Sequence, residues 1–276
     1  DAVRLKERDD ISVTTDGYSM INPVALIEFN AKEGPFANPA VRRAISLAID
    51  RQFMIDNIFF GYGKPATSAL STNFKPTGLY ASMPNYPARG DIASAKALLD
   101  SAGIKPDANG VRIRAILDLI PYGEDWRRAG EYLKQVLGDI GIKLELRYED
   151  VPTWLKRIYH NYDFVMNVNY FYQLPDPVLG VHRHYGTDQI RKGTNFVNSS
   201  RYSNSELDEL LASGATEANA QKRTQIYKKI QEILARDMPV VNLFELQFLT
   251  VYNTKLKGAY NSALGAYASF SEAYLD

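Results

Sequence analysis

The 276-residue chain carries 32 basic and 32 acidic residues, a balance that argues against nucleic acid as a partner, because phosphate binding usually leaves a basic excess. Cysteine is absent, which excludes disulfides, thiolate metal sites and a cysteine nucleophile. Apolar residues make up 45%, enough for a large core or two domains, yet no apolar run reaches the ~18 residues of a membrane span.

The chain opens at Asp1 with no initiator methionine and no signal segment before it, as expected of a processed or engineered start. Arg4 to Thr15 is short and mixed, with one strand ending near Val13, and Pro23 to Asn30 reads as a second strand. Asn38-Pro39 is a helix start, Asn as N-cap and Pro at the first helical position; Val41, Ile45, Ala48 and Ile49 then share one face. Gly61 to Gly90 is rich in Gly, Pro, Ser and Asn and is expected to be largely irregular. Gly61 to Ala66 spells a nominal GxGxxA, but a helix precedes it and Pro65 lies inside it, so it is no dinucleotide fingerprint. Asp91 caps another helix, with Ile92, Ala95, Leu98, Leu99 and Ala102 inward and Gly103 as its stop.

The middle of the chain is the most regular. Val111, Ile113, Ala115 and Leu117 alternate as a strand; Trp126, Ala129, Leu133, Val136, Leu137 and Ile140 form a helical stripe stopping at Gly141. Leu144, Leu146 and Tyr148 alternate again, a short helix spans Trp154 to Tyr159, and Phe164, Met166, Val168 and Tyr170 alternate once more. This β-α-β-α-β series predicts an α/β fold whose sheet contains parallel strands. Ser203 and Glu206 form a capping box, followed by helices over Leu207 to Ser213 and Ala220 to Arg236. Val240 to Tyr252 is a long apolar strand region, and Tyr267 to Leu275 ends the chain.

Ligands of open α/β sheets bind beyond the carboxyl ends of the strands. Two loops leave such ends here, Leu119 to Asp125 and Phe171 to Pro177, and they share one rim if their strands are neighbours. Tyr170-Phe171-Tyr172-Gln173 cannot all face one side of a strand. Either a cleft of aromatics stacks on a solute that Gln173 hydrogen-bonds, or the strand is a two-sided core strand. His182-Arg183-His184 lacks metal-site spacing, and Arg183 repels a cation, so a surface or solute contact outweighs a metal. Asn198-Ser199-Ser200 spells a sequon that chance explains. Asp118, Glu124, Asp125 and Asp176 supply carboxylates for an alternative reading as an α/β hydrolase or transferase, but none of the common catalytic motifs occurs.

Several stretches together resemble the bacterial extracellular solute-binding proteins of family 5, the peptide/nickel/opine type. They are Phe29-Asn30, Gly34-Pro35-Phe36, Asn38, Val41-Arg42-Arg43-Ala44 and Ala48-Ile49-Asp50-Arg51, then Gly61 and Pro65-Ala66. Ala95, Leu98-Leu99, Ala102-Gly103, then Leu137, Ile140-Gly141-Ile142, and finally Tyr202-Ser203-Asn204, Leu207-Asp208 and Leu210-Leu211 continue the match in order. The resemblance implies a type II periplasmic-binding-protein lobe with a mixed sheet flanked by helices. On it, residues 30–243 form the second, solute-binding lobe, and 1–29 and 244–276 are returning parts of the first. Ile27 to Asn30 and Leu243 to Gln247 would be the hinge. It further implies a monomeric substrate-binding component of an ABC importer, periplasmic or otherwise extracytoplasmic. Its partners are the missing N-terminal lobe, a membrane permease and a small solute; no cofactor and no metal are implied. Its solute residues would be Tyr122, Tyr170, Phe171, Tyr172 and Gln173, with Asp176 shaping the loop. The family's peptide binders carry an Asp at the Gln173 position, where it anchors a free amine; neutral Gln173 shifts the expectation toward neutral or conjugated solutes such as opine-like or sugar-containing compounds.

Overall fold

The computed structural model describes residues 2–260 and 262–276. In chain order it forms α1 (Ala2–Leu5), β1 (Ile11–Thr14), β2 (Pro23–Phe29), α2 (Pro39–Ala48), α3 (Arg51–Asn57), β3 (Gly63–Pro65) and α4 (Ile92–Ser101). The middle supplies β4 (Ile113–Leu119), α5 (Glu124–Gly138), β5 (Ile142–Tyr148), α6 (Val151–Leu155) and β6 (Met166–Tyr172). Then follow α7 (Pro177–Gly180), α8 (His182–Tyr185), α9 (Ser205–Thr216), α10 (Ala220–Asp237), β7 (Val240–Leu246), β8 (Thr250–Asn253), β9 (Leu256–Lys257) and β10 (Tyr274–Leu275).

Six strands make one sheet in the order β3-β7-β2-β6-β4-β5. The β-α-β-α-β series is its parallel half: β4 pairs in parallel with β5 on one side and with β6 on the other. β2 pairs antiparallel with β6 and β7, and β3 with β7, so the sheet is mixed and the fold is α/β. β2 is buried along its whole length, as a central strand covered on both faces must be. Residues 23–29 and 244–246, which the resemblance assigns to the returning segments, are strands of this same sheet. β1 with β8, and β9 with β10, form two small antiparallel sheets of their own.

Local chemistry explains the helix boundaries. The Asn38 side chain accepts the Ala40 N–H at 2.9 Å with Pro39 in the first turn, and Asp91 accepts the Ser94 N–H at 2.9 Å. The helix expected through Ile49 ends at Ala48 instead, because Asp50 caps a new one, accepting the Phe53 N–H at 2.7 Å. The expected capping box is also corrected. Asn204, not Ser203, caps α9, its side chain accepting the Leu207 N–H at 3.1 Å, and Ser203 instead bonds Thr187. α6 runs on into a wide π-helical turn over Lys156–Asn161, and the long strand expected over Val240 to Tyr252 is broken into β7 and β8. Gly63-Lys64-Pro65, inside the nominal GxGxxA, is an edge strand, where proline costs no ladder bond.

Candidate functional site

β4 and β6 run side by side with Leu119 opposite Val168, so the loops leaving them open at the same end of the sheet. This brings the two predicted loops to one rim. The Tyr122 ring lies 5.9 Å from Tyr170, and Tyr170 lies 5.8 Å from Tyr172. Trp126, from the first turn of α5, stacks on Tyr170 at 5.7 Å, and Phe248 closes on Tyr170 and Tyr172 edge-on at 6.0 and 6.2 Å.

Strand alternation separates Phe171 from its two neighbours. It stacks on His184 at 3.5 Å and meets Phe196 edge-on at 6.3 Å. An open-sided cleft of about 270 Å³ forms around this strand end, lined by Ile120, Tyr122, Asn169, Tyr170, Phe171, Tyr172, Arg183 and Phe196. Of the six residues expected from the sequence, four (Tyr122, Tyr170, Phe171 and Tyr172) therefore converge on one cleft.

Gln173 does not line it, and its side chain requires a different reading from the solute contact expected above. The residue is 6% exposed; its Oε1 accepts the Ser71 N–H at 2.8 Å and its Nε2 donates to the Ala69 carbonyl at 2.7 Å. A buried amide must find partners, and here the irregular segment between β3 and α4 supplies both. Asp176 accepts the Val178 N–H at the start of α7, and its two oxygens accept from Arg223 Nη2 at 2.8 and 2.9 Å. Burial alone would raise its carboxyl, but Arg223 and the Val178 N–H hold it below the ordinary value.

The remaining carboxylates are not brought together. Asp118 is bidentate with Arg147 at 2.6 and 2.8 Å, and burial nonetheless pushes its carboxyl up. Glu124 and Asp125 sit in the exposed first turn of α5, where negative charge suits the helix N-terminus, and Glu124 lies 3.8 Å from Arg128. None of the four lines the cleft.

His182 and His184 do not converge either. His182 faces Asp188 at 3.0 Å, whereas His184 is buried beneath Phe171 with its Nε2 3.6 Å from Glu28. Glu28 is fully buried and accepts from Asn167, Asn169 and Ser199 at 2.7, 3.1 and 2.6 Å. Of this polar cluster Asn169 lines the cleft. The sequon residue Asn198 is also buried and donates to the Gly186 and Tyr202 carbonyls.

Sequence reasoning missed Arg183, Asn169, Ile120 and Phe196. Arg183 enters the sequence reading with its two histidine neighbours, as part of a run for which a surface or solute contact outweighs a metal, and not as a site residue of its own. Its available signal was the Asp-Pro pair six residues upstream, which starts the short helices that turn the chain back onto β6.

Residues 2–191 match the family model "Bacterial extracellular solute-binding proteins, family 5 Middle". The chain is 25% identical over 236 residues to the glutathione-binding protein GsiB of Salmonella paratyphi A, covering 84% of this chain and 44% of that protein. It is 26% identical over 214 residues to di/tripeptide-binding protein 1 of Pseudomonas aeruginosa, covering 78% and 38%. The crystal structure of the ABC transporter substrate binding protein CtaP from Listeria monocytogenes superposes with a TM-score of 0.79 at 25% identity, covering 96% of this chain and 51% of that one. The chain spans less than half the length of the curated relatives it matches. The family match, over more than half of the residues, agrees with the mixed sheet and the cleft at its parallel end: the chain belongs to the bacterial extracellular solute-binding proteins of family 5.

Proposed function

We propose that this chain is the C-terminal part of the substrate-binding component of an ABC importer. It binds a small solute, peptide-like or otherwise, between two lobes, and the closed complex delivers that solute to a membrane permease. The observation that supports this most directly is the aromatic cleft where β4 and β6 end, with Tyr122, Tyr170, Phe171 and Tyr172 around it. The relatives' names point the same way, toward glutathione, di- and tripeptides.

On this reading residues 30–243, with 23–29 and 244–246 as strands of the same sheet, hold the solute-binding lobe, and the rest of 1–29 and 244–276 returns to a first lobe built largely by a preceding segment. The chain flexes where it leaves this sheet, before Pro23 and after Leu246, as the lobes close. Tyr122, Tyr170, Phe171 and Tyr172 provide stacking area, while Gln173 and Asp176 hold the loop that presents them. The protein works outside the cytoplasm, as a monomer, and releases the solute unchanged. The carboxylates that a hydrolase or transferase needs are held apart from the cleft, three of them in arginine pairs.

Calorimetric titration of the complete protein with glutathione, dipeptides and tripeptides tests this. Reversible one-to-one binding without product is expected, weakened at least about tenfold in Tyr172→Ala and Tyr122→Ala, the loss of about one aromatic contact. Turnover of a bound compound, or unchanged affinity in both variants, would overturn it.

A further inference from the structure

Arg183 is half-buried and differs from the arginines that hold a carboxylate or a full set of oxygens; only Arg43, whose Nε is likewise buried without a partner, is similar among the described residues, and it lies outside the cleft. Arg147, Arg157 and Arg223 each hold a carboxylate within 2.8 Å. Arg42 and Arg51 lack one, yet each gives four hydrogen bonds to oxygens around it. Arg183 has five N–H donors and gives a single hydrogen bond, from Nη2 to the Tyr172 carbonyl at 2.9 Å. Its Nε is buried with no acceptor, and among the described residues no acidic side chain pairs with it. Its guanidinium carbon stands 5.7 Å over the Phe171 ring, and both residues line the cleft. Burial lowers its proton affinity.

The cleft offers no other charge. Arg183 alone among its lining residues is ionic, and the lining amide of Asn169 is spent on Glu28, Tyr159 and the Tyr170 N–H. With Gln173 also spent, nothing negative is left to anchor an amine. A planar guanidinium with open donors beside aromatic rings matches a planar carboxylate on a flat or apolar body.

We propose that Arg183 is the anion-recognising residue of the cleft and binds a carboxylate of the solute, whose body lies against Tyr122, Tyr170 and Tyr172. This rests on the solute-binding reading above and deepens it: the solute is recognised by its acid end, and a free amine is not required. A charge-assisted hydrogen bond of this kind changes affinity by about ten- to a hundredfold.

The test uses the complete protein and three matched acid–amide pairs: N-acetyltyrosine and N-acetyltyrosinamide, Ala-Ala-Tyr and its C-terminal amide, and glucuronate and glucuronamide. In at least one pair the acid is expected to bind about ten- to a hundredfold tighter by calorimetry. Arg183→Met abolishes that preference and Arg183→Lys keeps part of it. The wild-type comparison stands even if a variant fails to fold. Equal binding of acid and amide overturns the role of Arg183 while leaving solute binding intact; a carboxylate of the preceding half seated on Arg183 gives that result. A preference that survives Arg183→Met overturns it too. Binding of no acid and no amide in any pair overturns the anion reading, and the glutathione and peptide titrations above then decide the solute-binding reading separately.

Discussion

The Phe171 ring lies against the His184 imidazole with centroids 3.5 Å apart, and this stack seals His184 over the buried carboxylate of Glu28. Burial holds His184 below its ordinary value of 6.5, against the opposing pull of Glu28 and with Arg183 adding to the depression. The imidazole is therefore neutral in the fold at pH values where the unfolded chain is already protonated. The unfolded state binds the extra proton, so stability rises with pH through this window and is lost as pH falls below about 6.5. One such proton gives a slope of at most about 1.4 kcal/mol per pH unit. Urea unfolding at pH 5, 6 and 7 should show this decline, and His184→Gln should flatten it by that amount. An unchanged slope in the variant would place the titration elsewhere.

Gln173 ties the end of β6 to Ala69 and Ser71, more than a hundred residues earlier. Gln173→Leu leaves the Ser71 N–H buried without an acceptor and is expected to cost about 1–3 kcal/mol. Ala69 suffers less, because Asn242 also donates to its carbonyl at 3.0 Å. Gln173→Glu sets a buried carboxylate against that carbonyl and should be the more damaging change at neutral pH. Its folded pKa is raised by burial, so its deficit should shrink as pH falls. Denaturation midpoints at pH 7 and pH 5 check both the order and the sign. A Glu variant as stable as wild type at pH 7 would show that this position tolerates an acid.

Arg51 is completely buried and bonds the carbonyls of Ser46, Pro87 and Asn242 and the Ser46 hydroxyl, with Tyr86 5.7 Å beneath it. Burial pulls its pKa down to about 10. It fastens the α2–α3 corner to β7 and to the irregular segment before α4. Arg51→Met strands those acceptors and is expected to cost about 3 kcal/mol or more. Arg51→Lys should not restore the loss, since an ammonium has three donors and no fork. Arg8→Met, which breaks the exposed Arg8–Asp10 pair, should leave the melting temperature unchanged.

These residues show what the sequence could reveal. Asn38, Pro39 and Asp91 act through atoms two or three residues away, so the helix starts were legible in short strings. Alternation at Ile113–Leu119, Ile142–Tyr148 and Met166–Tyr172 was legible for the same reason, and it carried the parallel half of the sheet. The antiparallel half was not, because β2 finds β6 and β7 across separations that no local pattern encodes. The aromatic rim followed from strand ends plus topology. Gln173 and Arg183 did not, because their partners depend on where a distant irregular segment and two four-residue helices come to rest.

The last of those helices' contacts gives a sharp steric prediction. A Cβ built on Gly180 would stand 2.1 Å from the Gln173 carbonyl oxygen and 2.4 Å from its Cα. Both are backbone atoms, which cannot swing aside as a side-chain tip can. Gly180→Ala must therefore push α7 away from the end of β6, straining the Asp176–Arg223 pair and the Arg183 bond to Tyr172 together. A loss of about 1–3 kcal/mol in stability is expected, as for an overpacked core, with weaker solute binding in the complete protein. Gly138 is the control: it ends α5 with open space around its Cβ position, so Gly138→Ala should stabilise by up to about 1 kcal/mol. Chemical denaturation of both variants measures the contrast. Equal stability of Gly180→Ala and wild type would mean that α7 does not pack on Gln173 this closely, and that the cleft wall is set by β6 alone.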